Sequence, residues 1–189
     1  MVYLMLSGFH SHSLAPPEKD FDGYDIYHYR VLLDKVGVYS GSNVYFIFVL
    51  RDPRDVITSL YPSTGGKYLV DFGSWLKNYE EFLSLKERFS EDIIVIRYED
   101  LITDPDSSQK IIADFIGACP DIPFSQCYKE VGRIQKLRVL EMSVEMGGVR
   151  PIEIVRVGRW KCEKYKDRLN EQYKRFPEMN GILRSLGYQ

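Results

Sequence analysis

The sequence has little cysteine, no long apolar run and no marked excess of charge of either sign. Its three cysteines are spread over 189 residues, with no disulfide framework or close metal-binding pair, which suits a reducing compartment. No apolar run approaches the roughly 20 residues needed to span a bilayer, so we expect no membrane association. The net charge of −2 gives no basic surface for nucleic acid, and we expect none as a partner.

Other absences bear on the location of the protein, on its enzyme class and on its number of domains. No basic leading region accompanies the apolar residues 1–8, so we expect no signal peptide and a cytoplasmic location. No Gly-Lys-Ser or Gly-Lys-Thr sequence is present, which argues against a small nucleotide or sugar kinase. The length of 189 residues and the lack of repeats predict a single domain over residues 1–189.

Short apolar runs predict the strands of a sheet. Residues 44–50 and 93–96 are continuous apolar, β-rich stretches, which is typical of strands buried on both faces of a parallel sheet. Residues 2–6 read as a shorter strand, and residues 7–23 as a loop. Apolar residues recur at helical spacing over residues 68–85, which predicts an amphipathic helix.

Cap signals and apolar spacing place the remaining helices. Asp52 and Asp104 each precede a proline, as N-cap residues do, and Gly117 marks a helix end. Helical spacing also returns over residues 165–186. Strands that alternate with helices predict an α/β fold with a mainly parallel sheet, in which ligands bind beyond the carboxyl ends of the strands. Arg51 lies at one such end.

Arg51 has the chemistry of an anion ligand. Its planar guanidinium suits phosphate, and the start of the next helix adds unpaired N–H groups and partial positive charge. Ser59, which we place about two turns into that helix, offers a hydroxyl to the same anion. Asp52 and Asp55 would oppose an anion unless they cap the helix or form ion pairs. A helix cap with surface ion pairs explains the same residues, and the two interpretations stay open at this point.

Residues 48–59, FVLRDPRDVITS, resemble the 3′-phosphate-binding motif of sulfotransferases. In that family the first arginine and the serine eight residues later hold the 3′-phosphate of 3′-phosphoadenosine 5′-phosphosulfate (PAPS). Arg51 and Ser59 occupy those positions. The resemblance therefore implies that these two residues bind the nucleotide.

Three later segments resemble the same family in the same order. Residues 96–101, IRYEDL, are similar to a segment whose tyrosine lies near the adenine, which implies that role for Tyr98. Residues 156–161, RVGRWK, are similar to a late segment that follows a basic loop closing on the 3′-phosphate. Arg156 is our candidate for that closing residue; Arg150 competes for the role, because the family's Arg-Lys-Gly triplet is absent. Residues 186–188 resemble the family's usual end.

One part of the family pattern is not found. Sulfotransferases grip the phosphosulfate with a loop of the type Pro-Lys-Ser-Gly-Thr-Thr, whose N–H groups and cation cradle the anion. Residues 6–13, LSGFHSHS, are the nearest candidate, but they contain no lysine or arginine. We therefore expect a truncated or shortened chain. His10 and His12 alternate as on one strand face, but two ligands are weak evidence for a metal, and we predict no metal site.

A general base would take the proton from the acceptor. Cytosolic sulfotransferases use a histidine upstream of the 3′-phosphate motif, and His28 lies 23 residues before Arg51, a similar spacing. Neutral imidazole suits proton removal near pH 7. A partly buried histidine among tyrosines explains His28 equally well. His12 is the next candidate, and many family members use a carboxylate instead.

Taken with the resemblance, these residues predict a three-layer α/β domain like the P-loop kinases, with a short mainly parallel sheet flanked by helices. The implied reaction moves a sulfuryl group from PAPS to a hydroxyl or amine of a small-molecule or glycan acceptor, leaving adenosine 3′,5′-bisphosphate. The alternative is a non-catalytic or partner-dependent remnant that only binds that bisphosphate. An exposed sheet edge also predicts self-association as a homo-oligomer. We expect residues 7–24, 61–67 and 118–155 to line the acceptor pocket.

Overall fold

A computed structural model describes most of the chain. The residues described are 2–6, 45–60, 66–68, 70–130 and 152–189. Backbone contacts divide the chain into two compact units. Unit 1 combines Met1–Arg97 with Gly158–Gln189, and unit 2 is Tyr98–Val157.

Unit 1 contains a parallel sheet of three described strands. They are β1 (Val2–Leu6), β2 (Tyr45–Leu50) and β3 (Ile93–Arg97), in the order β1-β2-β3. Every pair is parallel, with Val2 opposite Tyr45 and Phe46 opposite Ile93. All three predicted strands are present, and their bounds differ from the predictions by at most one residue. The parallel α/β arrangement expected from the sequence is therefore observed in this unit.

Between β2 and β3, the described residues contain two helices. The first, α1 (Pro53–Ile57), begins as predicted, with the side chain of Asp52 accepting a hydrogen bond from the backbone N–H of Arg54 at 2.9 Å. The second, α2 (Phe72–Arg88), begins four residues later than predicted. The apolar spacing at Tyr68 was misleading, because that residue instead forms an antiparallel bridge with Leu60.

Asp71 sets the start of α2. Its carboxylate accepts a hydrogen bond from the backbone N–H of Ser74 at 2.8 Å, so it caps one of the N–H groups that a helix start leaves unpaired. Partial burial raises the pKa of Asp71, but hydrogen bonds from Ser74 and the charges of two arginines lower it by more. The pKa of Asp71 therefore lies below its ordinary value of 3.8.

Unit 2 begins with a helix that the sequence did not suggest. Directly after β3 the chain enters α3 (Tyr98–Thr103), followed by α4 (Pro105–Ile116). The predicted cap of α4 is confirmed, since Asp104 accepts from the N–H of Ser107 at 3.1 Å. Gly117, at φ 67°, ends the helix in a left-handed conformation that glycine adopts without strain. The part of this unit that the structure describes also contains the 3₁₀ segments Phe124–Glu130 and Ile154–Arg156.

The C-terminal part of unit 1 packs against the sheet. It contains α5 (Lys166–Arg175) and α6 (Met179–Ser185), preceded by 3₁₀ turns at Arg159–Lys161 and Glu163–Tyr165. Leu169 and Met179 from this part join the core around β2. All five residues 46–50 are buried, as the sequence predicted for this strand.

Aromatic side chains make up much of the unit 1 core. Phe48 of β2 stacks on Phe82 of α2 with ring centroids 3.7 Å apart, and Phe72 and Trp75 are fully buried. Each fully buried side chain of this size stabilises the fold by about 1.5–3 kcal/mol. This core supports the carboxyl end of β2, where Arg51 leaves the sheet.

We expect Asp71→Ala to destabilise unit 1 by about 1 kcal/mol, since it removes the cap of α2. Because the pKa of Asp71 is lowered in the folded state, its stabilising contribution is present above pH 3.8 and is lost as the pH falls below that value. The stability difference between the wild type and the variant should therefore shrink in acid. Urea unfolding followed by circular dichroism over a range of pH measures both effects.

Asp71→Ser is the matched control, because a serine hydroxyl can cap the same N–H group. Its neutral side chain should preserve most of the stability while removing the pH dependence that belongs to Asp71. Equal destabilisation by serine and alanine would show that the cap does not hold the start of α2.

Candidate functional site

Arg51 emerges at the carboxyl end of β2, where the sequence placed a ligand site. Its side chain is 16% exposed, and its Nη2 atom lies 3.9 Å from the Oδ2 atom of Asp55. This distance is that of an ion pair rather than a hydrogen bond. The guanidinium is therefore held near a carboxylate and is partly accessible from solvent.

Asp55 connects parts of the chain that are distant in sequence, and its side chain is 1% exposed. Its Oδ2 atom accepts a hydrogen bond from the backbone N–H of Gly158 at 2.7 Å, and its Oδ1 atom accepts one from Trp160 at 2.9 Å. These bonds span more than 100 residues of sequence. Within unit 1, they join the motif at residues 48–59 to residues 158–160, which are part of the later segment that resembles the same family.

A second acidic residue of the motif, Asp52, holds a buried arginine. Its carboxylate accepts hydrogen bonds from Arg54 Nε at 3.0 Å and Nη2 at 2.8 Å, as well as capping α1. Burial lowers the pKa of Arg54, but the hydrogen bonds and charge of Asp52 raise it by more, so the net shift is upward. Asp52 is thus a helix cap and Asp55 accepts backbone N–H groups, which is compatible with both interpretations that the sequence left open.

Arg54 extends from this pair to the C-terminal residues. Its Nη1 atom donates to the backbone carbonyl of Gln189 at 2.8 Å. Its guanidinium stacks over the ring of Trp160, with the Cζ atom 3.8 Å from the ring centroid. A cation over a tryptophan face is attracted by the ring quadrupole. Sequence reasoning missed this role of Arg54, because its partners are distant in the chain.

Arg97, at the end of β3, makes a parallel set of contacts. Its Nη1 atom donates to the carbonyl of Leu186 at 2.9 Å, and its guanidinium lies 4.3 Å from the ring centroid of Tyr188. Arg54 in α1 and Arg97 at the end of β3 therefore both bind the C-terminal residues. These contacts give residues 186–188 a structural role at the sheet edge.

Ser59 is not where the sequence analysis placed it. Helix α1 ends at Ile57 with Thr58 as its C-cap, so Ser59 lies just beyond the helix rather than two turns inside it. Its hydroxyl donates to the backbone carbonyl of Asp55 at 2.6 Å. Because a hydroxyl has one proton, Ser59 must turn away from this carbonyl before it can donate to a phosphate.

Tyr98 and Arg156 belong to unit 2. Tyr98 is the half-buried first residue of α3. Arg156 lies at the end of a 3₁₀ segment and forms an ion pair from its Nε atom to Glu153 at 2.9 Å, with its side chain 36% exposed. Their proposed roles at the adenine and the 3′-phosphate stay predictions.

The remaining sequence candidates are His28, His10, His12 and Arg150, and all of them lie outside the described residues, as do residues 7–13 of the candidate loop. Within the described ranges, no group of three or more His, Cys, Asp or Glu side chains is placed to hold a metal ion. Among the same residues, no helix is both long enough and apolar enough to cross a membrane.

Comparison with models of known families matches residues 40–143 to the sulfotransferase domain. This chain belongs to the sulfotransferase family. The matched region contains both Arg51 and Tyr98, and it begins upstream of β2. The family resemblance found in the sequence motifs is therefore confirmed.

Curated sulfotransferases match a shorter stretch. The chain is 32% identical over 94 residues to a 3-beta-hydroxysteroid sulfotransferase of Cavia porcellus and to Sulfotransferase 2A2 of Rattus norvegicus, which is 40% of this chain and 32% of each relative. Sulfotransferase 2A2 of Mus musculus is 32% identical over 89 residues, 38% of this chain and 30% of the relative. The matched part of the chain thus spans about a third of the length of these relatives.

We expect Arg54→Lys to destabilise the protein by about 1–3 kcal/mol, because lysine cannot reproduce the forked bonds to Asp52, the bond to Gln189 and the stack on Trp160 together. Thermal unfolding followed by circular dichroism measures the change. Fluorescence quenching by acrylamide should also increase, because Trp160 loses the guanidinium that covers one face of its ring.

Arg88→Lys is the matched control, since Arg88 is an exposed residue at the end of α2 and its replacement should change stability by less than about 0.5 kcal/mol. If both lysine variants unfold at the wild-type temperature, the contacts of Arg54 do not stabilise the C-terminal residues.

Proposed function

We propose that this sulfotransferase binds PAPS at the end of β2 and transfers its sulfuryl group to a hydroxyl or amine. One observation carries the proposal. The carboxylate of Asp55 joins Arg51 to the backbone of Gly158 and Trp160, so the motif that resembles the 3′-phosphate site and the turn that begins directly after Arg156 and Val157 meet in unit 1. Helix capping alone would not require that turn.

The residues in place are suited to a 3′-phosphate. The guanidinium of Arg51 supplies a cation with a forked donor geometry, and its partial exposure leaves a path for a ligand. Ser59 can add a second hydrogen bond once its hydroxyl leaves the carbonyl of Asp55. Asp55 is negatively charged, but both of its carboxylate oxygens accept backbone N–H groups, which offsets its repulsion of an anion.

In this proposal Arg51 and Ser59 anchor PAPS, and Tyr98 and Arg156 contact its adenine and its 3′-phosphate. PAPS supplies an activated sulfuryl group when it is bound. We expect transfer in line from phosphosulfate to acceptor, with catalysis mostly by positioning and charge stabilisation, by analogy with phosphoryl transfer. His28 would take the proton of the acceptor. The scheme needs no metal ion.

The acceptor and the finer architecture are also proposals. Because two relatives are named hydroxysteroid sulfotransferases, an alcohol on an apolar ring system is the first acceptor to test. We propose the three-layer arrangement of the P-loop kinases for the domain as a whole. A single domain, cytoplasmic location and homo-oligomer formation stay predictions.

The alternative is binding of adenosine 3′,5′-bisphosphate without catalysis. Residues 1–39 contain no Lys-Ser-Gly-Thr or Arg-Ser-Gly-Thr sequence, so the group that usually holds the phosphosulfate is not identified in this chain. The two functions share the Arg51 site and differ in whether the 5′ side of the nucleotide is also held. Their separation therefore needs an assay of transfer as well as one of binding.

We expect the wild type to bind adenosine 3′,5′-bisphosphate with micromolar affinity. Arg51→Ala should weaken binding roughly 10- to 100-fold, which corresponds to the loss of about 1.5–3 kcal/mol from charge-assisted hydrogen bonds. Ser59→Ala should cost less, since its hydroxyl gives up an existing hydrogen bond in order to bind. Isothermal titration calorimetry measures all three affinities, and adenosine 5′-monophosphate serves as the ligand without a 3′-phosphate.

Arg88→Ala is the control variant, because it removes an exposed cation from the end of α2 and should leave the affinity unchanged. No binding by the wild type, or equal binding by the wild type and Arg51→Ala, would contradict the proposed site. If binding is found, incubation with PAPS labelled at the sulfuryl group and a hydroxysteroid or phenol tests catalysis. Labelled product supports the enzyme, and binding without any product supports the alternative.

A further inference from the structure

The carboxylate of Asp55 has two kinds of partner at different distances. The backbone N–H groups of Gly158 and Trp160 lie within 2.9 Å of its oxygens, whereas the Nη2 atom of Arg51 is 3.9 Å away. The side chain is 1% exposed, so water cannot substitute for these partners. The backbone segment therefore provides most of the hydrogen bonding that a buried carboxylate requires.

This arrangement affects any anion that binds Arg51. Opposite charges a few ångströms apart in a partly buried site attract strongly, and an anion would draw the guanidinium away from Asp55. The carboxylate would then depend more on its two backbone donors, and those two hydrogen bonds would strengthen. Conversely, loss of these donors would leave Asp55 to compete with the anion for Arg51.

We propose that Asp55 is a positioning residue that couples anion binding at Arg51 to the docking of residues 158–160. The inference rests on the proposed function, because the anion is the 3′-phosphate of the nucleotide. Coupling of this kind is reciprocal. If docking of the segment raises the affinity for the anion by a given factor, binding of the anion raises the equilibrium constant for docking by the same factor.

Two contacts that do not involve Arg51 hold residues 158–160: one at Gly158 and one at Trp160. Gly158 adopts φ 73°, a left-handed conformation that strains other residues, and this turn directs its N–H group at Asp55. Trp160 is also held by its stack with Arg54. Because that second attachment remains, removal of the Asp55 bonds should loosen the segment without unfolding unit 1.

Asp55→Asn tests the coupling with nearly constant side-chain volume. Gly158 and Trp160 donate to different carboxylate oxygens, and in asparagine one of these becomes an amide nitrogen, which cannot accept, so one of the two N–H groups loses its acceptor. We expect the backbone N–H groups of residues 158 and 160 to exchange with deuterium at least about tenfold faster than in the wild type, measured by NMR. Calorimetry should show affinity for adenosine 3′,5′-bisphosphate reduced about 5- to 100-fold, the usual range of coupling.

Arg51→Ala separates positioning from direct binding. It should abolish most of the affinity while leaving the exchange of the same two N–H groups slow, since their acceptor is Asp55. In the wild type, adenosine 3′,5′-bisphosphate should slow that exchange further. A purely structural role of Asp55 would leave exchange at residues 158 and 160 independent of the nucleotide.

Gly158→Ala is the second variant, in case Asp55→Asn does not fold. It keeps the carboxylate, and the added Cβ atom meets little, since its nearest neighbour is 4.0 Å away, so its effect comes from backbone strain at positive φ. We expect faster exchange at residues 158 and 160 and an intermediate loss of affinity.

The outcomes distinguish the inference from the function on which it rests. Wild-type binding that is lost in Arg51→Ala but unchanged in Asp55→Asn and Gly158→Ala would overturn the positioning role alone. Absence of any wild-type binding would overturn the proposed function and the coupling together. Reduced affinity in both variants, with nucleotide-dependent exchange at residues 158 and 160, supports the coupling.

Discussion

The candidate site depends on one buried carboxylate. Asp55 accepts two backbone N–H groups from a segment more than 100 residues away and forms an ion pair with Arg51. A buried carboxylate without such partners would be strongly destabilising. The need to satisfy this group therefore brings the end of β2 and the Gly158–Trp160 turn into contact, and it sets the surroundings in which Arg51 meets a ligand.

Two arginines, one in α1 and one at the end of β3, attach the C-terminal residues to the rest of unit 1. Arg54 and Arg97 each use donors on backbone carbonyls of residues 186–189 and a cation–π contact with an aromatic ring. Backbone carbonyls that fold against the protein need hydrogen-bond donors, and these two guanidinium groups supply them. The C-terminal residues are thus fixed in place by arginine side chains.

Membership of the sulfotransferase family agrees with this geometry, although the curated relatives match over only about a third of their own length, 32% in the first of them. In the proposed function, the motifs within the described residues form a half-site for the 3′-phosphate. The proposed function separates binding of the 3′-phosphate from binding of the phosphosulfate, for which the candidate residues 7–13 lie outside the described structure. Binding and catalysis are therefore distinct properties for this chain.

The sequence by itself determined the strands, the caps at Asp52 and Asp104 and the position of Arg51, because each depends on local apolar patterning or on neighbouring residues. It misplaced the start of α2 and the position of Ser59, where a cap and a short helix overrode periodicity. Only the tertiary structure shows that the carboxylate of Asp55 accepts hydrogen bonds from backbone N–H groups. The sequence left open whether its charge would oppose an anion bound at Arg51. The partners of Asp55 at Gly158 and Trp160 are distant in sequence, and no local signal identifies contacts that form only when the chain has folded.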